Sequence, residues 1–393
     1  MKHSQYRFTI FSCFLGYITQ AIAVNFPPLL FVAFMKDFNL SFSQLTSLIT
    51  ITFVIQLFID YFVSKLITTH NIKLFVVLSQ VSAIIGLIGL SFVPHLFGQY
   101  SFAGLILCAC FYSAGSGLIE VAVSPIVENC PTNNKSGIMS LLHSFYCWGS
   151  AFAIGFSTLF FYFYGTENWR YLAIIWALIP LMNSILMCIM PIPEIEPNDK
   201  NSASFCFKNK TFLIMFALML LGGAAELAVS QWSSVFAETG LNISKSAGDI
   251  AGPFLFAILM GLGRVIFTAF GGKIRLINYM LLSVILLTLG YTMAAFSPIP
   301  LLSFIGIALC GFAVAIFWPG TLSLAAAHFG SSASIFGLLA FAGDTGCTVG
   351  PLLVGLVSDR FSNNISVGLG FSLLFPIGML ILIFLLKTNS RRV

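Results

Sequence analysis

Residues 74–93 read LFVVLSQVSAIIGLIGLSFV, twenty positions without one ionisable side chain. A helix of that length rises ~1.5 Å per residue and covers ~30 Å, the thickness of a bilayer's hydrocarbon core. No water reaches that layer, so each backbone N–H and C=O must be satisfied within the segment, as a helix does. The stretch therefore predicts a transmembrane helix over 73–93. Working outward, comparable apolar runs lie near 8–35, 44–66, 100–127, 137–163, 169–191, 211–237, 248–270, 275–296, 300–327, 333–358 and 365–386. The expectation is an all-α membrane protein with twelve transmembrane helices.

The composition agrees. Of 393 residues, 58% are hydrophobic and 8% charged, against about 25% charged in a soluble domain. So few charges cannot cover a surface facing water, and lipid must be the solvent over most of the chain. The net charge of +5 is small and scattered, which argues against a nucleic-acid partner. Most cysteines sit inside apolar runs and none forms a CxxC pair. They read as small hydrophobes rather than metal ligands or disulfide partners. The first apolar run is too long for a cleavable signal and continues as the first span.

Lys and Arg set the orientation. With the N-terminus inside, Lys2, Arg7, Lys65, Lys73, Lys135, Lys200, Lys208, Lys210, Lys273, Arg275, Lys387, Arg391 and Arg392 fall on the inner side. Only Lys36, Arg170, Lys245 and Arg360 fall outside, and Arg264 lies within a helix end. The bias predicts cytoplasmic termini and a multi-pass protein of the plasma (inner) membrane.

Residues 192–210 form the longest polar segment and divide the chain into an N-terminal half, 1–191, and a C-terminal half, 211–393. The halves echo one another. Asn39-Leu40-Ser41-Phe42-Ser43 enters span two, and Asn242-Ile243-Ser244-Lys245-Ser246 enters span eight, 203 positions later (242 − 39). Leu141-Leu142 with Gly149 recurs as Leu338-Leu339 with Gly346, at an offset of 197 (346 − 149). Two pseudo-symmetric six-helix bundles joined by a cytoplasmic linker are expected, with a solute site near the midplane.

An ionisable side chain at mid-membrane costs ~2.5–3.5 kcal/mol, so each one present points to function. Glu120 lies near the middle of span four with Ser116 and Ser124 one turn to either side. Low dielectric disfavours its charged form, so Glu120 either accepts a proton or, held neutral, bonds a neighbouring helix. Glu226 shares a face with Ser230 and Ser233, and Gln231 and Trp232 follow. A carboxylate or amide beside a large ring suits sugars, polyols, amines or nucleosides; alternatively Trp232 belongs to an interfacial aromatic belt. Asp344, in Gly343-Asp344-Thr345-Gly346, either faces a cavity or bonds another helix. Asp60 and Arg264 stand at cytoplasmic span ends and read as gating charges. Neutral candidates are Asn25, ahead of the ladder-breaking Pro27-Pro28, His143 with Tyr146 and Ser150 on its face, and Trp318.

The twelve spans, the central loop and the glycine pattern resemble the major facilitator superfamily. Gly261-Leu262-Gly263-Arg264 ahead of Gly271-Gly272-Lys273-Ile274-Arg275 looks like that superfamily's loop 8–9 motif. Asp60 and Lys65 mark a degenerate first copy, and Gly346-Cys347-Thr348-Val349-Gly350-Pro351 resembles its glycine–proline helix. Gly117-Leu118-Ile119-Glu120 with Ser124-Pro125 is similar to the fourth-helix signature of the fucose–galactose–glucose:proton symporter group. That resemblance implies sugar binding and proton coupling at Glu120. Asn25 falls where the group has an Asn/Asp-containing motif, here without an acidic residue, so Glu226 or Asp344 would supply a second carboxylate.

The resulting expectation is a non-enzymatic, monomeric transporter in the bilayer. It takes a small-molecule solute, uses a proton as coupling ion, needs no cofactor or metal, and works by alternating access. Glu120 is the proton-coupling residue; Asn25, His143, Glu226, Gln231, Trp232, Trp318 and Asp344 join it as solute contacts. The rival readings are a proton-driven exporter of drugs or metabolites and a membrane receptor that binds solute without moving it.

Overall fold

The computed structural model describes residues 6–63, 72–131, 135–193, 208–270, 275–329 and 333–389. Among them every regular element is helical. Twelve helices are long and apolar enough to cross a membrane: α1 Arg7–Leu29, α2 Phe42–Val63, α3 Ile72–Leu96, α4 Gly98–Val127, α5 Leu141–Tyr164, α6 Thr166–Ile189, α7 Lys210–Gly240, α8 Lys245–Phe267, α9 Leu276–Phe296, α10 Pro300–Phe329, α11 Gly337–Arg360 and α12 Ile365–Lys387. Each overlaps the run expected from the sequence.

The α3 stretch shows how lipid sorts side chains. Leu74, Leu78, Val81, Ile85, Ile88 and Phe92 are exposed, spaced three or four apart along one stripe. Ser79 and Gln80 are fully buried. Apolar groups outside and amides inside reverse the pattern of a water-facing helix, because here the outer solvent is hydrocarbon.

The chain forms two compact units, Met1–Pro197 and Asn198–Val393. In the first, α1 packs on α4 through Tyr17, Ile119, Ala122 and Val123, part of a buried cluster that also takes in Ile72, Val76 and Leu142. Glycine lets α5 approach α1: a Cβ on Gly149 would stand 3.0 Å from Ala21 Cβ and 3.1 Å from Ile18 Cα. In the second unit, the same device is tighter. Gly346 of α11 lies so close to the backbone of Leu220 and Ala224 in α7 that no Cβ fits. Small residues at crossings are how helices pack closely in lipid.

The prolines of α1 behave differently from the simplest expectation. The helix runs through Pro27 and Pro28 to Leu29, and the break falls at Leu30, whose N–H reaches Pro27 O at 3.0 Å. A short helix, Phe31–Phe38, follows. A proline withdraws the hydrogen bond owed to the carbonyl four residues earlier, so the helix can pass through the ring and still be weakened upstream. At the start of α7, the helix begins at Lys210, capped by Asn209, whose Oδ1 accepts from Thr211 N at 2.8 Å. Of the linker expected at 192–210, residues 194–207 lie outside the described residues, as do Lys65 and Gly271–Ile274 of the two loop motifs.

Candidate functional site

One face of α4 carries Ser116, Glu120 and Ser124, a turn apart, and each bonds a side chain of another helix, α2 or α1. Gln56 Nε2 of α2 donates to Ser116 Oγ. Gln20 Nε2 of α1 donates to Glu120 Oε2 at 2.7 Å. Ser124 Oγ lies 3.3 Å from the Tyr17 hydroxyl, also of α1. That hydroxyl lies 3.3 Å from His143 Nδ1 of α5, and the two rings meet edge to face at 5.4 Å. Farther along α1, Asn25 Nδ2 donates to Ala21 O at 2.9 Å and to Ser150 Oγ at 3.0 Å. Ser150 in turn donates to Tyr146 O at 2.8 Å.

Glu120 and His143, both expected from the sequence, thus bond α1, and Asn25, also expected, lies on α1 and reaches Ser150 of α5. Glu120 is partly open and His143 exposed. Gln20 is 5% exposed, and its Oε1 is buried with no hydrogen-bond partner among the described residues. Tyr17 and Gln20 hold this set together and were not singled out from sequence. The available signal was an amide and a phenol three residues apart in an otherwise apolar run; weighing charged groups first passes over them. Gln56, one turn before Asp60 on α2, turns its amide to α4. The side chain of Asp60 lies outside the described residues.

In the second unit Glu226 of α7 is 5% exposed, and its Oε2 has no hydrogen-bond partner among the described residues. Arg264 of α8 is the charge whose field reaches it. A residue expected to gate and one expected to contact solute thus lie within electrostatic reach of each other. Tyr291 of α9 pins the backbone beside Glu226, its hydroxyl donating to Ala225 O at 2.7 Å. Gln231 is buried. Trp232 has neither ring face open: it is fully buried and its Nε1 donates to Pro351 O of α11 at 3.0 Å. A fully buried indole with its N–H bonded anchors the packing of α7 on α11. Trp318 is partly open and lays its ring on Gly343. Asp344, 7% exposed, offers its backbone carbonyl to Thr348 Oγ1 at 3.0 Å.

A further cluster was not legible as one. Lys245, counted from sequence as an outer-loop charge, bonds Ser234 Oγ at 2.7 Å, Asp249 Oδ1 at 2.8 Å and Glu238 Oε1 at 3.1 Å. Asp249 is fully buried. The group ties the end of α7 to the start of α8, where each helix widens by a π-turn, at Phe236–Gly240 and Ile250–Phe254.

Comparison with known proteins supplies the setting. The family model of the Major Facilitator Superfamily matches residues 10–351. A crystal structure of the E. coli fucose:proton symporter FucP superposes with a TM-score of 0.66 at 15% identity, covering 97% of this chain and 99% of that one. A bacterial homologue of the human lysosomal transporter Spinster, inward-facing and occupied, gives 0.76 at 13% identity, over 99% and 97% of the two chains. The nucleoside transporter NupG gives 0.74 at 15% identity, over 97% and 98%. At such identities the likeness shows the fold. No match was found among curated protein sequences.

Proposed function

The chain belongs to the major facilitator superfamily, and on that footing we propose that it carries a sugar or similar small hydroxylated solute by proton-coupled symport and alternating access. The observation that carries this reading is Glu120. It is an ionisable group in the middle of a spanning helix, bonded by Gln20 at 2.7 Å and still partly open. A carboxyl so placed costs free energy and is retained for what it does. Open on one side, it can take up and release a proton. Tyr17, Asn25 and His143 supply the hydroxyl, amide and imidazole that match a solute's hydroxyl groups. Glu226 beside Arg264, with Gln231, Trp318 and Asp344, is the corresponding set we assign to the C-terminal half, and Asp60 and Arg264 keep a gating role in this proposal.

Two structurally similar proteins are named for fucose:proton symport and nucleoside transport; both solutes carry hydroxyls, which sets the first compounds to test. We place the protein in the plasma membrane as a monomer, with both termini cytoplasmic.

Reconstituted protein under an imposed pH gradient, offered monosaccharides, polyols, nucleosides and lipophilic cations, tests this directly. Accumulation of a hydroxylated solute with matching lumenal acidification, both lost in Glu120→Gln, is the expected result. Gradient-driven extrusion of cations supports the exporter, and solute binding without flux supports the receptor. Proton-dependent uptake that survives Glu120→Gln removes Glu120 from the coupling role.

A further inference from the structure

The Gln20–Glu120 pair is half complete. Gln20 Nε2 donates to one carboxylate oxygen at 2.7 Å, while Oε1 of the same amide is buried and without a partner among the described residues. A buried acceptor left unpaired is costly, and most such atoms have a donor in some state of the molecule. An ionised carboxylate cannot provide one, since it only accepts; a protonated carboxyl has one O–H to give.

We infer that Gln20 is the positioning residue for the coupling proton: its Nε2 holds Glu120 when ionised, and its Oε1 receives the Glu120 O–H when protonated. Acid and amide then form a closed pair with two hydrogen bonds, one in each direction. A single amide, buried at 5% exposure, serves both charge states without moving to a new partner. The inference rests on the proposed coupling role of Glu120. It adds that the carboxyl is bonded on both sides of the proton-transfer step, so neither state is stranded in low dielectric. On uptake the proton goes to the free Glu120 oxygen; on release it passes to water, and the Nε2–H bond to the carboxylate remains.

The other titratable groups around this face are few. Tyr17 of α1 bonds both Ser124 and His143, the latter from α5. The α3 helix carries Lys73 and His95 only at its two ends. From α2 the candidate is Asp60, whose side chain lies outside the described residues.

Infrared difference spectroscopy of the purified full chain in lipid, titrated with acid, reads this pair without requiring transport. Glu120 gives a carboxyl C=O band that appears on acidification and is absent in Glu120→Gln. In Gln20→Met, of similar length but apolar, the band is expected to move to higher frequency, because the O–H has lost its acceptor. Thermal unfolding separates this effect from misfolding. A Gln20→Met band unchanged in frequency overturns the inference. If Glu120 gives no titrating band at all, the proposed coupling role falls with it, whereas a normal band in Gln20→Met leaves that role standing and removes only Gln20.

Discussion

Asn39 and Asn242 hold the same left-handed backbone, φ 54° at each, 203 positions apart in the two halves of the chain. Asn39 closes the helix Phe31–Phe38 just before α2, and Asn242 closes the turn after α7 just before α8. Asn tolerates this region because its short polar side chain bonds locally, whereas a β-branched side chain clashes there. Asn39→Val and Asn242→Val should each lower stability by about 1–2 kcal/mol, while Asn→Gly at either site stays within a few tenths of the parent. Thermal unfolding in detergent checks both, and a large cost at one site but none at the other would argue against equivalent turns.

The repeat that was visible as words in the sequence is thus a repeat of backbone conformation. Hydrophobic runs revealed the twelve spans because hydrocarbon imposes a length and a polarity on every crossing helix. Glu120, His143 and Asn25 were legible because charge and amide groups are conspicuous in such runs. Tyr17 and Gln20 were not, because what makes them matter is the helix they face, which no local pattern encodes. Trp232 shows the same limit: its place beside Glu226 in sequence does not reveal that its indole donates to Pro351 O of α11.

Two glycines at matching crossings give a graded prediction. A methyl added at Gly149 meets Ala21 Cβ at 3.0 Å, which a small shift relieves; one added at Gly346 runs into the α7 backbone at Leu220, which cannot turn aside. Gly346→Ala should therefore cost about 1–3 kcal/mol, the range for overpacking, and Gly149→Ala distinctly less. Unfolding midpoints of the two variants side by side decide the order; an equal or reversed loss would mean that α7 and α11 can separate more easily than their contact implies.

Lys245 faces two carboxylates, Asp249 fully buried and Glu238 partly exposed, through contacts of 2.8 and 3.1 Å. Removing the ammonium leaves two acids with no cation between them. Lys245→Met is expected to destabilise by about 3–5 kcal/mol, the cost of breaking a buried pair from one side. Lowering the pH should recover part of that loss, since protonated carboxyls no longer repel. Lys245→Met combined with Asp249→Asn should recover more. Stability measured for the single and double variants from neutral to mildly acid pH tests the sign, and a loss indifferent to pH and to Asp249→Asn would show that Lys245 acts by packing alone.

Tyr17 separates solute binding from proton handling. Its hydroxyl touches Ser124 and His143 but not the Gln20–Glu120 pair. Tyr17→Phe keeps the ring that meets His143 edge to face and removes only the oxygen. If the hydroxyl orients His143 toward solute, KM for uptake should rise about 3–10-fold, the effect of losing one modest hydrogen bond, with the pH midpoint of transport unchanged. His143→Gln should raise KM as well, and the double variant should fall short of the product of the two effects, since residues in one network do not act additively. A Tyr17→Phe variant with normal KM but a displaced pH midpoint would instead join Tyr17 to the proton. The division of labour along α1 would then collapse into a single site, with Gln20 and Tyr17 both tuning Glu120.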